Sequence, residues 1–229
     1  MARAIRPCFY VAEEAPYVKF ENIEFEYFSG FAKSQKEKSI KSFLNSAKMK
    51  FNSDKILEIS KASPIYLGKE LSAFKLQLTL KNEKNESITT SVERFFQGSK
   101  VFKNGGPYHE IIYGEDIHPK KYEKLKNSGD FMGFKLFSKT YATEPTTYFY
   151  DWLYINALLQ NSHLSKQICK FEYFSDIEFN PKKSFSSQSK SVTLFCAMKK
   201  YNLFEENFTD EKVFLEFMQK IYNAKTLFN

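Results

Sequence analysis

The stretch "TTSVERFFQGSKVF", residues 89–102, stands between strand-like alternation upstream and helix-patterned segments downstream, and its reading decides how the two combine. Thr90 or Ser91 is suited to cap a helix, and Val92, Phe95, Ser99 and Phe102 follow one side of it. At about 100° per residue the seven positions from Glu93 to Lys100 advance about 700°, so both fall within about 20° of one face, with Gln97 between them. An acid, an amide and an amine then share one side of a helix whose other side is aromatic. The plain alternative is a solvated polar face, and spacing alone does not choose between the two.

Upstream, "VKFENIEFEYFSGF" (18–31) alternates imperfectly through Phe20, Ile23, Phe25, Tyr27 and Phe31, a strand that turns at Gly30. Ser34 precedes Glu37 by three positions, the pattern of a capping box, and opens a helix with Ile40, Phe43, Leu44 and Ala47 on its buried face. "KILEIS" (55–60) and "AFKLQLTL" (73–80) read as strands, the second leaving through a hairpin at "KNEKNES". Downstream, the glycines and proline of "KNGGPYHE" (103–110) end the helix and permit a close backbone approach. Residues 113–140 are punctuated by Lys and Gly and carry no clear period. Helical patterns follow at "TTYFYDWLYINALLQN" (146–161), "SHLSKQICKF" (162–171) and "KSVTLFCAMKKY" (190–201), after a polar loop at 175–189. A last helix, "TDEKVFLEFMQKIYN" (209–223), has Thr209 as its cap and two acids in its first turn. The sum is a mostly helical α+β fold with a few short strands, in a single domain over 1–229 with no linker and no internal repeat.

Hydrophobic residues make up 42% of the 229-residue chain, including 25 Phe and 14 Tyr, enough to build a core despite the high charge. No apolar run approaches the length of a membrane-spanning helix, and Pro7, Glu13, Glu14 and Pro16 interrupt the start before any signal-peptide core develops, so a soluble, cytoplasmic protein is expected. Cys8, Cys169 and Cys196 have no metal-ligand spacing and suit reduced thiols. His109, His118 and His163 show no paired spacing either, and neither a metal nor a cofactor is expected. The net charge of +7 permits a polyanionic partner, but only Arg3, Arg6 and Arg94 are arginines and the lysines are spread along the chain, so charge does not by itself demonstrate one.

Val92-Glu93-Arg94-Phe95-Phe96-Gln97-Gly98-Ser99-Lys100 is similar to the "vEhyfqaqK" signature of the NADAR family, which includes N-glycosidases of NAD and ADP-ribose metabolism. "FYDWLYINALLQNSHLSKQI" resembles that family's helical stretch around a Trp. Asp176-Ile177-Glu178-Phe179 stands where it has Asp-x-x-Trp-Gly, with Gln188 near its following asparagine, and Ser29-Gly30-Phe31 stands where many members have Ser-Asn-Phe. Gly30 for Asn, Phe179 for Trp and an insertion at about 32–88 mark a divergent member, with an extra C-terminal helix at about 209–223. Taken whole, the chain more closely resembles the subgroup encoded beside DarT-type DNA ADP-ribosyltransferase toxins.

The resemblance implies an antitoxin that removes ADP-ribose from guanine bases in ADP-ribosylated DNA, releasing ADP-ribose, with a toxin as its functional partner whether or not the two bind physically. It implies Glu93, Lys100 and Asp176 as catalytic residues. Glu93 and Asp176 are the carboxylates for an oxocarbenium-like ribose and a departing base, and Lys100 is either a contact or a Schiff-base amine. Phe28, Phe31, Phe96, Tyr150, Trp152 and Tyr154 are candidate base-stacking side chains, although most aromatics must be core. Gly30 and Gly106 can bring backbone N–H groups to a diphosphate, and Ser34 and Lys36 stand at a helix start. Gln97, Asn180 and Gln188 complete the substrate-binding set. Two other functions use the same residues: an N-glycosidase for phosphorylated ribosylamines, which needs no DNA groove, and a non-catalytic binder of ADP-ribosylated DNA or of a toxin.

Overall fold

A computed structural model describes residues 2–30, 32–181 and 184–223; Phe31 lies outside the described residues. Strands β1 (Ala2–Val11) and β2 (Val18–Tyr27) form an antiparallel hairpin in register from Ala2 opposite Tyr27 to Val11 opposite Val18. The expected strand at 18–27 is therefore present, and its partner, residues 2–11, is a strand that the sequence pattern does not announce. Cys8 and Phe9 are both buried, so the middle of β1 is covered on both faces and shows an apolar run instead of alternation. β1 also pairs antiparallel with β9 (Tyr173–Ser175), which runs parallel to β3 (Ile56–Glu58), giving the order β2-β1-β9-β3.

Helix α1 (Lys33–Phe51) packs Ile40, Phe43 and Ala47 on Cys8, Ile23, Phe25, Ile56 and Ile177, the smaller of two cores. The capping box does not form. Ala32 holds the extended N-cap backbone and Ser34 is already inside the first turn, exposed and making no cap bond. The second hairpin, β4 (Gln77–Lys81) with β5 (Ser87–Ser91), begins later than expected. Residues 73–76 coil into a turn closed by Leu76 N–H donating to Ser72 O at 2.8 Å, with helix α2 (Tyr66–Glu70) just before it.

The larger core surrounds α6 (Tyr148–Gln160), in which every residue from Tyr148 to Leu158 is buried. A helix apolar all round must be covered on all sides, and α8 (Gln188–Lys200), α7 (Ser162–Ile168) and α9 (Glu211–Asn223) help to cover it. α9 contributes Phe214, Phe217, Met218 and Ile221. Its cap is Asp210, not Thr209: the Asp210 carboxylate accepts from the N–H groups of Lys212 (2.8 Å) and Val213 (3.4 Å), while the Thr209 carbonyl accepts from Trp152 Nε1. The unreadable region 113–140 contains a short helix α5 (Lys124–Asn127) and β7 (Phe131–Leu136). β7 lies between β6 (Lys100–Phe102) and β8 (Lys139–Tyr141) in an antiparallel sheet. The class is α+β, as expected. Among the described residues no helix is long and apolar enough to cross a membrane.

Candidate functional site

Helix α3 (Val92–Gly98) follows β5 directly, and Ser91 is its cap, its hydroxyl accepting from Arg94 N–H at 3.4 Å. Two further backbone bonds fix its first turn: Val92 N–H to Leu76 O and Glu93 N–H to Ala73 O, at 3.0 and 2.8 Å. The Arg94 guanidinium donates to the carbonyls of Ile111, Glu115 and Ile117 at 2.6–2.9 Å and to that of Gly114, tying the helix to the loop that follows α4 (His109–Tyr113). Helix α3 is one turn shorter than the periodicity predicts. It ends at Gly98, where a Cβ would sit 2.6 Å from Ile112 Cγ1, and Lys135 N–H captures Ser99 O at 2.7 Å to draw the chain into a sheet. Lys100 is thus the first residue of β6, not the end of a helical stripe, and "KNGGPYHE" does not end a helix: it turns the chain out of β6, closed by a bridge between Phe102 and Gly105, and enters α4 at His109.

Even so, Lys100 and Glu93 reach the same space. A cleft of about 700 Å³ is lined by Glu93, Phe96 and Gln97 from α3, Lys100 from β6, Tyr150 from α6, Gln188 from α8, and Asp176 and Asn180 beyond β9. Its size is that of a small-molecule site. Gln97 Nε2 donates to Glu93 Oε1 at 2.8 Å, and Lys120 Nζ stands 3.6 Å from the same oxygen, so this buried carboxylate faces an amide and an ammonium. Lys100 lies with its Nζ 4.8 Å from the centre of the Phe96 ring, and Phe96 packs on Phe134 and Tyr150.

Burial sets the protonation of the two other candidates. It pushes the Lys100 ammonium down to about 8, with the Glu93 charge opposing the shift and Lys120 assisting it. Burial also pushes the Asp176 carboxyl up to about 8, helped first by the charge of Glu58, against the pull of Lys120. Glu58 is itself buried and raised. It accepts from Ser175 Oγ and from Ile177 N–H at 3.2 Å, which fixes the backbone on both sides of Asp176.

The other expected contacts divide. Gln188 is a strut at the wall, accepting from Ala73 N–H at 2.8 Å and donating to Ile59 O at 2.6 Å. Phe28, Gly30 and Lys36 line a separate, neighbouring cleft of about 400 Å³, and Glu178 lines both. Lys36 Nζ is 2.5 Å from Glu178 Oε1. Three further expected contacts line neither cleft. Trp152 and Tyr154 lie in the core, Tyr154 donating to Leu71 O. Gly106 backs onto the chain itself: at φ +89° its Cβ would lie 2.2 Å from Lys100 O. Ser34 likewise lines neither. The sequence reading missed Lys120, Phe74, Phe131 and Glu178 in the wall, since a lysine in a lysine-rich, periodless segment carries no local signal. Among the described residues no three His, Cys, Asp or Glu side chains gather in a metal-binding group.

Fold and site together define an α+β protein built around an acid-and-amine cleft between a short helix, a strand and a loop. The sequence model of the DarT1-associated NADAR antitoxins matches residues 4–227, and the chain belongs to that family. Comparison with curated proteins yields no match.

Proposed function

We propose that the protein is an ADP-ribosyl glycohydrolase that removes ADP-ribose from guanine in DNA and so counters a DarT1-type toxin. The observation that carries this reading is the convergence of Glu93, Lys100 and Asp176 on one cleft, in which burial brings the last two close to neutral pH. A glycosidic nitrogen leaves only when protonated, and a carboxyl with a pKa of about 8 holds its proton at pH 7. Asp176 is therefore assigned the proton donor to the departing base. Glu93, held by Gln97 and Lys120, is assigned the carboxylate that stabilises positive charge developing on the ribose.

Lys100 completes the reaction as nucleophile. About a tenth of an amine with a pKa of about 8 is neutral at pH 7. Its lone pair attacks the anomeric carbon as the bond to the base nitrogen breaks, the proton from Asp176 going to the base. The ribose ring then opens to a Schiff base. Water adds to that carbon, the C–N bond to Lys100 breaks, the proton this releases returns to the Asp176 carboxylate, and the products are unmodified guanine in DNA, ADP-ribose and the regenerated amine. The net change is one water consumed for one glycosidic bond broken.

The test is an oligonucleotide bearing ADP-ribosyl-guanine, with free ADP-ribose measured by chromatography. Release that is lost in Glu93→Gln and Lys100→Ala is the expected result. Tight binding without release would instead identify a binding module, and turnover of free phosphorylated ribosylamines alone would identify a small-molecule glycosidase.

A further inference from the structure

Phe74 lines the catalytic cleft from the turn before β4, within the divergent segment 32–88. Two ammonium groups lie against its ring, Lys61 Nζ at 4.0 Å and Lys120 Nζ at 5.0 Å from the centroid, which holds the two charges within about 9 Å of each other. Cation–π attraction to one ring offsets part of their mutual repulsion. Lys120 has Glu93 as its counter-charge, and Lys36 has Glu178, but Lys61 forms no ion pair among the described residues, nor does Lys100. Asp176, held protonated at pH 7, adds no compensating charge. Glu93, Glu144 and Glu178 in the cleft lining balance Lys61, Lys100 and Lys120 in number, so what marks this place is not net charge but two ammonium groups on flexible side chains gathered on one aromatic ring, one of them without an ion pair among the described residues. Partial burial, with Lys120 and Lys36 nearby, already lowers the Lys61 ammonium from its ordinary value, while Glu178 and Glu93 oppose the shift; an incoming anion would relieve it.

We infer that Lys61 and Lys120, carried on Phe74, form a phosphate-recognition subsite at the mouth of the cleft. The inference rests on the reading of that cleft as a nucleotide-processing site. Two ammonium groups that can approach one another suit the oxygens of a diphosphate or of a phosphodiester, and both occur in an ADP-ribosylated DNA strand. The ring is occupied by the ammoniums, so its role is to place them and not to stack a base. The subsite also gives the 32–88 segment a function: it supplies Phe74 to the lining of a cleft whose acid and amine come from elsewhere in the chain, and Lys61, which reaches that rim by lying on the Phe74 ring.

Inorganic pyrophosphate, ADP-ribose and an unmodified single-stranded oligonucleotide are titrated calorimetrically into the wild type, Lys61→Met, Lys61→Arg, Phe74→Leu and, as a control for net charge, Lys84→Met on the exposed β4–β5 turn. Lys61→Met is expected to weaken pyrophosphate about tenfold, with Lys61→Arg retaining most of the affinity and Lys84→Met unchanged. A matching loss for ADP-ribose assigns the subsite to the diphosphate. A loss for the oligonucleotide, with the salt slope reduced by about 0.7, assigns it to the strand backbone. Affinities unchanged in Lys61→Met and Phe74→Leu, or an equal loss in Lys84→Met, overturn the inference, as does a wild type that binds none of the three probes. Release of ADP-ribose from modified oligonucleotide separates the two claims. Lysine-dependent pyrophosphate binding without release by the wild type overturns the hydrolase reading alone. Release with a KM and kcat insensitive to Lys61→Met overturns the subsite alone.

Discussion

At the scale of single residues, the proposed reaction turns on two groups that burial moves in opposite directions toward the same pH. Lys100 must lose its proton to act, and its neutral fraction grows as pH rises through about 8. Asp176 must keep its proton, and its protonated fraction falls through about 8. The rate of ADP-ribose release is therefore expected to rise to a maximum near pH 8 and then decline. Asp176→Asn is expected to lower kcat about a hundredfold or more and to remove the alkaline decline, leaving the acid limb; a bell unchanged in this variant would take Asp176 out of the mechanism. Stability carries the same sign. Because the folded state raises the Asp176 pKa, its contribution is full at low pH and is lost as pH climbs through about 8, so the thermal midpoint of Asp176→Asn should fall less than that of the wild type between about pH 6 and pH 9. Lys100→Ala is expected to lower turnover about a thousandfold, and borohydride added during turnover should leave one ADP-ribose mass on wild-type Lys100 and none on the variant. Of these groups, Glu93 and Gln97 were legible as a pair because they lie four apart on one helix, where local geometry alone brings side chains together. Lys120 was not legible, because its partner Glu93 is on a distant element.

At the scale of elements, the decisive piece is the junction where α3 becomes β6. Periodicity carries a helix through Lys100, and the structure stops it at Gly98 because tertiary hydrogen bonds and Ile112 occupy the path. The turn after β6 then supports Lys100 from behind, with Gly106 against its carbonyl. Gly106→Ala meets both a backbone in the left-handed region and a Cβ contact of 2.2 Å with Lys100 O, and is expected to cost about 2 kcal/mol or more in urea denaturation and to displace Lys100. Gly133→Ala on β7 is the matched comparison. It has φ +151° but its nearest heavy atom is Thr143 Cγ2 at 3.6 Å, so it should carry backbone strain without the clash and cost less. Equal losses in the two variants would show that the close approach at Gly106 contributes nothing. Caps show the same limit of local reading. Ser91 caps α3 as its spacing suggests, but at α1 and α9 the residues that fit the pattern, Ser34 and Thr209, yield the position to Ala32 and Asp210. Where a helix starts depends on the direction from which the chain enters, and that direction is set by the neighbouring elements.

At the scale of the whole molecule, α9 closes the larger core. Phe214 is fully buried against Tyr148 and Phe208, and Tyr148 OH donates to Glu211 O at 2.7 Å. Phe214→Ala is expected to destabilise the chain by about 3–5 kcal/mol in urea denaturation, with ADP-ribose release per folded molecule unchanged because the cleft lies among other elements. A loss of specific activity at full folding would connect α9 to the site. The sequence by itself determined the α+β class, the existence and face of most long helices, the strands at 18–27 and 55–60, and the pairing of Glu93 with Gln97. Each of these depends on residues within a few turns or alternations of one another. Tertiary structure alone decided that the first residues form a strand, that Lys100 belongs to a sheet, and that Phe28 and Lys36 line a different cleft from Phe96 and Tyr150. It also decided that Trp152 and Tyr154 are core, and that Asp176, Lys120 and Phe74 meet Glu93. The reason is physical: periodicity reports which side of an element is buried, but a cleft is made where several elements stop short of one another, and no single element contains the information about its neighbours' ends.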